Sequence, residues 1–171
     1  MANSPTGIRY ETQIIYSIVQ TQNFASQQKQ KTYKTIVMTK MTSKYVGGLR
    51  TENTHLQSGN RIITDAPLDN HGKGEAFSPT DLLATALCDC IFTITGITAQ
   101  TYNFSIDGAT AQIEKIMNES PRRVAEVKID FDYSMCNLNE KQQTIIRRIP
   151  DTCPVSRSLS PEVKQTITFK F

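Results

Sequence analysis

Four cysteines, Cys88, Cys90, Cys136 and Cys153, are the side chains of this 171-residue sequence with the chemistry to act as nucleophiles or redox groups. The thiolate is the reactive form, so the question is which of them stands where negative charge is favoured. Cys153 precedes Pro154 at what reads as a helix start. Unpaired N–H groups and the positive end of the helix dipole favour a thiolate there, and Arg147, Arg148 and Arg157 lie nearby in sequence. Cys90 falls among leucine and isoleucine, which suits either a small buried hydrophobe or a reactive thiol in an apolar pocket. Cys88 and Cys136 have no comparable context and read as incidental. Cys88-Asp89-Cys90 does not make a metal site, because helical geometry separates the sulfurs, and His55 and His71 stand alone. No metal and no cofactor are expected. There is no Walker-type or dinucleotide-binding glycine loop, and Gly47-Gly48 reads as a close-packing or bulge device within a strand.

Cys90 must be positioned by the stretch SPTDLLATALCDCIFTITGITAQ, residues 78–100, which reads as the longest helix. Ser78 caps it and Pro79 occupies the first turn, where a missing N–H costs nothing. Leu83, Leu87, Cys90, Ile94 and Ile97 recur at spacings of three and four, with Leu82, Ala86 and Ile91 beside them, so this stripe is expected to be buried. Cys88, roughly 200° from Cys90 around the axis, points to the opposite side with Asp81, Thr85 and Phe92.

Before this helix, residues 45–56 and 60–65 read as two strands joined by a turn at 57–60, followed by a Pro- and Gly-containing loop over 66–77. After it, residues 102–117 alternate as a strand with a bulge or turn at Asp107-Gly108. Residues 124–133 set Val127, Ile129 and Phe131 on one face and Glu126, Lys128, Asp130 and Asp132 on the wet one. A helix over 139–149 capped by Asn139 and closed by Pro150, a further turn of helix from Cys153, and a last strand over 166–171 complete an α+β order.

Lys and Arg number 19 against 16 Asp and Glu, a net charge of +3, which is too balanced to point to nucleic acid. No apolar run approaches the roughly 20 residues of a membrane span, so no membrane partner is expected. With no secretory signal, four cysteines read as free thiols in a reducing compartment, the cytoplasm. Residues 1–40, rich in Gln, Thr, Ser and Lys, read as a poorly ordered or peripheral N-terminal extension ahead of a single domain over 41–171.

SPTDLLATALCDC (78–90) together with the distant CPVS (153–156), supported by YVGGLRTE, by TDAP and by the order of elements, resembles the OsmC/Ohr family of osmotically inducible and organic hydroperoxide resistance proteins, in its OsmC-like branch. The resemblance covers about residues 44–171. It implies an OsmC-like fold, mainly antiparallel sheets around a long central helix, with two chains intertwined as a homodimer and active sites between them. The activity it implies is a thiol-dependent peroxidase reducing organic hydroperoxides by a two-cysteine mechanism, without a bound cofactor, in defence against oxidative stress. Carried onto matching positions, Cys90 is the peroxidatic thiolate. Cys153 is the resolving thiol, and a small dithiol or a lipoylated protein is the reductant. Arg50 best matches the arginine that the family pairs with its reactive cysteine, and Arg61 is a weaker candidate. The chain departs from the family at Thr80, where the better-known members carry a glutamate that holds this arginine; Asp81 stands one place further on. That departure leaves the alternative of a catalytically weak OsmC-like dimer binding a small apolar or thiol-reactive ligand; a metal-binding or storage module is a third hypothesis.

Overall fold

The computed structural model of the protein describes residues 38–171, so the expected extension over 1–40 lies outside the described residues apart from 38–40. Strands β1 (Met41–Gly47), β2 (Arg50–His55) and β3 (Arg61–Asp65) form one antiparallel sheet in chain order. Helix α1 (Pro79–Thr101) follows. A second sheet takes β4 (Thr110–Glu119) and β5 (Arg122–Asp132) as an antiparallel pair, with β6 (Lys164–Lys170) parallel to β5. The parallel pairing requires a crossover, which is supplied by α2 (Glu140–Arg147), a 3-10 turn over Ile149–Thr152, and α3 (Pro154–Ser158).

Two strand expectations are corrected. The single strand over 45–56 is a hairpin, because Gly47, Gly48 and Leu49 take φ of +91°, +58° and +63° and turn the chain between β1 and β2. A Cβ on either glycine would meet nothing within 4 Å, so left-handed backbone, not close packing, is why glycine stands there. The register does slip between Tyr45 and Gly47, which is a bulge. The strand expected from 102 begins only at Thr110, since Asn103 and Gly108 both take positive φ and hold residues 102–109 out of the ladder.

Helix α1 starts as its sequence dictates. Ser78 Oγ accepts from the Asp81 N–H at 3.1 Å while the Asp81 carboxylate accepts from the Ser78 N–H at 2.8 Å, a complete capping box with Pro79 at the first helical position. Its buried face, however, is rotated from the expected stripe. Ala84, Leu87, Cys88, Ile91, Thr95 and Ala99 face inward, whereas Leu83 and Ile97 are 36% and 59% exposed. The physical reason is that the helix is apolar on most sides, so counting apolar residues cannot choose a face. Small Ala84 and Cys88 let the backbone approach the sheet, and they decide it.

The same apolarity makes α1 long and apolar enough, by length and composition only, to cross a membrane. That departs from the expected absence of any such run. In this domain its inward face forms the core with Val127, Ile129 and Phe131 of β5, the face the alternation assigned. Burial of Leu87 and Ile91 contributes roughly 1.5–3 kcal/mol each. Phe92 of α1 meets Phe131 edge-on at 4.8 Å, and Phe131 stacks on Phe169 at 5.4 Å, which fixes the rotation of the helix against β5 and β6.

Candidate active site

Cys153 is the N-cap of α3 and is completely buried (0% exposed). Asn139 caps α2 through a capping box with Gln142, and the 3-10 turn containing Pro150 then delivers Cys153 to the flank of α1. There Cys90 packs against the core cluster that contains Cys153 and is near enough to act on its thiol. Burial pushes the Cys153 thiol up, hydrogen bonding and charge at Cys90 push it further, and the N–H groups of Ser156 and Val155 pull the other way. Burial wins. The expectation that helix-start electrostatics favour a thiolate at Cys153 is therefore corrected: a five-residue helix offers a weak dipole, and desolvation of the sulfur outweighs it. The arginines do not help either. The Arg147 guanidinium sits 4.7 Å from the centre of the Phe171 ring, Arg157 Nε donates to the Asp151 carbonyl at 3.0 Å, and Arg148 is exposed.

Cys90 is half-buried, on the border between the inward face of α1 and an outward face that exposes Leu83, Ala86, Thr93 and Ile97. It can therefore touch Cys153 and still be reached from outside. Cys88, by contrast, is buried in the core, and burial together with the neighbouring Asp89 charge pushes its thiol up to about 11. Cys136 is half-buried, 3.8 Å from the Asp107 carbonyl, and burial and the Asp107 and Asp132 charges raise it too. All four cysteines are free thiols. His55 bonds the Ser58 hydroxyl at 2.7 Å, and among the described residues no group of three or more His, Cys, Asp or Glu is placed to hold a metal ion.

Arg50 stands directly opposite Asp65 in the β2–β3 ladder. Its Nη2 donates to Asp65 Oδ2 at 3.2 Å and also to the Glu75 carboxylate. Asp65 is fully buried, and its Oδ2 accepts the Glu75 N–H at 2.9 Å, so one carboxylate ties both the arginine and the 66–77 loop. That N–H bond, followed by Arg50, holds the Asp65 carboxyl below the usual carboxylate range. The loop itself is tightly folded: a Cβ on Gly72 would lie 1.7 Å from the Ala66 carbonyl oxygen, so only glycine fits. Among the described residues Arg50 makes no hydrogen bond to a cysteine, and Arg61, largely exposed, pairs with Glu52 at 3.5 Å.

Position 80 has a different partner. Thr80 Oγ1 accepts from Lys115 Nζ at 2.9 Å, and the same ammonium reaches Ser78 Oγ at 3.3 Å and Asp81 Oδ1 at 2.6 Å. Lys115 thus ties β4 to the start of α1 beside a cavity of about 520 Å³ lined by Glu75, Phe77, Thr85 and Ile113. A second cavity, of about 570 Å³, lies between the first sheet and Pro79 and Leu82 of α1. Asp65, Glu75 and Lys115 escaped the reading of the sequence as site residues. Only Asp65 carried a signal, as the acid of TDAP opposite Arg50 in a hairpin register.

A long helix carrying one half-buried thiol, met from a crossover by a second buried thiol, on a frame of two three-stranded sheets, defines a two-thiol α+β domain. The chain belongs to the OsmC family: the family model described as OsmC-like protein matches residues 72–168. Among solved structures, a Psychrobacter arcticus 273-4 protein named for osmotic stress induction and a detoxification response is 49% identical, with a TM-score of 0.72, over 78% of this chain and 96% of that one. An organic hydroperoxide resistance protein of Legionella pneumophila is 16% identical, with a TM-score of 0.63, over 80% of this chain and 98% of that one. OhrB of Bacillus subtilis, also an organic hydroperoxide resistance protein, is 20% identical, with a TM-score of 0.56, over 79% and 99%. The α+β fold is that of the OsmC/Ohr proteins. Comparison with curated proteins gives no match.

Proposed function

We propose that this chain is a thiol-dependent peroxidase acting on organic hydroperoxides, in defence against oxidative stress. The observation that carries the reading is half-buried Cys90 packed against the core cluster that contains fully buried Cys153, supported by membership of the OsmC family and by the hydroperoxide resistance proteins that share its fold. The Cys90 thiolate attacks the O–O bond of the hydroperoxide, forming Cys90 sulfenic acid and releasing an alcohol. The Cys153 thiol then attacks the sulfenic sulfur, forming a disulfide and releasing water. A dithiol, free or as a lipoylated protein, reduces that disulfide by exchange and is itself oxidised. The leucines and isoleucines around Cys90 favour an apolar hydroperoxide over hydrogen peroxide. The outward stripe of Leu83 and Ile97 and the exposed Ile62 and Ile63 of the first sheet are covered by a second copy of the chain in a homodimer, and Arg50 acts on Cys90 of one copy or the other. The test is dithiol-supported consumption of cumene hydroperoxide, which Cys90→Ser abolishes; turnover unchanged by that substitution contradicts the proposal.

A second reading is favoured by one observation: two carboxylates, Asp65 and Glu75, face a single cation in Arg50, so that little positive charge is left to steady a thiolate. On that reading the dimer binds a small apolar or thiol-reactive molecule without turning it over. Stoichiometric retention of a ligand with no peroxide consumption distinguishes it.

A further inference from the structure

Cys153 presents a difficulty for any two-thiol reaction. A buried, protonated thiol is a slow nucleophile, and a sulfenic acid left waiting at Cys90 is open to a second peroxide, which takes it to sulfinic acid. Resolution must therefore be fast relative to that second attack, and speed has to come from placement. The first turn of α3 supplies it. The Ser156 N–H donates to Cys153 Sγ at 3.4 Å.

A helix of five residues does not hold its own shape in water, so something outside must fix that turn. The Gln165 side chain, on β6 opposite Val127 of β5, spans Ser156 with both ends of its amide. Its Oε1 accepts from Ser156 Oγ at 2.7 Å, and its Nε2 donates to the Ser156 carbonyl at 3.2 Å. The serine of CPVS is thus held on both sides by a rigid strand, while its N–H holds the sulfur.

We infer that Ser156 and Gln165 are positioning residues for Cys153, clamping the first turn of α3 so that the buried thiol stays in line with Cys90 for resolution. The inference rests on the peroxidase reading for its physiological meaning, but its physical content is the rate at which Cys90 and Cys153 join. Neither residue touches the peroxide.

The experiment compares Gln165→Ala, Ser156→Ala and Ser156→Thr with the parent chain. One equivalent of cumene hydroperoxide is mixed with reduced protein, and rapid quenching with mass spectrometry follows sulfenic acid, sulfinic acid and the Cys90–Cys153 disulfide. In parallel, diamide drives the same cross-link without any peroxide. Gln165→Ala is expected to slow disulfide formation about tenfold in both assays and to raise the sulfinic fraction at Cys90, while slowing the first attack much less. Ser156→Ala, which keeps the N–H, has a smaller effect in the same direction, and Ser156→Thr, which keeps the hydroxyl, restores the parent rate. Disulfide formation at the parent rate in Gln165→Ala, or equal slowing of attack and resolution, overturns the inference. If Gln165→Ala does not fold, the contrast between Ser156→Ala and Ser156→Thr decides, and no difference between them overturns it. A parent chain that ignores peroxide but cross-links under diamide refutes the peroxidase reading while leaving the clamp measurable.

Discussion

Arg50 and Asp65 are direct partners in the β2–β3 ladder, and the guanidinium donates to a carboxylate that is wholly removed from solvent. The pair places a cation at the root of the 66–77 loop, because the same carboxylate oxygen also holds the Glu75 N–H. Thr80 takes no part in holding this arginine; its hydroxyl is bonded by Lys115.

A pH dependence follows from that anchor. Asp65 has a carboxyl lowered by its native bonds, so its contribution to stability is complete above the unfolded carboxylate range near 3.8 and is lost as pH falls through the lower native value. Asp65→Asn is expected to melt below the parent at pH 7, with the gap closing as pH drops below about 4. Thermal denaturation of both proteins between pH 2.5 and 7 checks this; a gap independent of pH contradicts it.

The four thiols differ in access and in charge. Alkylation of the native protein at pH 8 is expected to modify Cys90 first, Cys136 more slowly, and Cys88 only on unfolding, because burial holds Cys88 protonated and out of reach. Peptide mapping after timed iodoacetamide labelling reads the order. Cys88→Ala is expected to cost roughly 1–2 kcal/mol through the small cavity it leaves, without changing the reactivity of Cys90.

The start of α1 is fixed from two directions. Ser78→Ala removes the N-cap and is expected to cost about 1 kcal/mol. Lys115→Met removes the ammonium from three acceptors at once and is expected to cost about 1–2 kcal/mol, discounted because Asp81 is partly solvated. Because both changes loosen the same turn, the double variant is expected to lose less than the sum, which urea unfolding of the four proteins measures.

The N-cap at Ser78, the helix capped by Asn139, the alternation that buries Val127, Ile129 and Phe131, and the turn of helix starting at Cys153 were all legible in the sequence, because each follows from local rules acting over a few residues; the parallel pairing that makes this segment a crossover is long-range and was not. The rotation of α1 was not, since a helix apolar on most sides has no preferred face until the sheet selects Ala84 and Cys88. The hairpin at Gly47-Gly48 hid inside a strand-like pattern because two glycines signal a bulge and a turn alike. The state of Cys153 was misread from helix-end charge alone, as its burial depends on α1 and β5, which lie far away in sequence. Glu75 was likewise invisible as an anchor, since a folded loop brings it to Arg50, whereas Asp65 showed only through the hairpin register.

The meeting of Cys90 and Cys153 is tested most directly by mass spectrometry of the reduced protein after one equivalent of an organic hydroperoxide. The account predicts a chain lighter by the two thiol hydrogens, with a single cross-linked pair of peptides containing Cys90 and Cys153, and none containing Cys88. A stable oxidised Cys90 with Cys153 still free, or a cross-link between other cysteines, would contradict it.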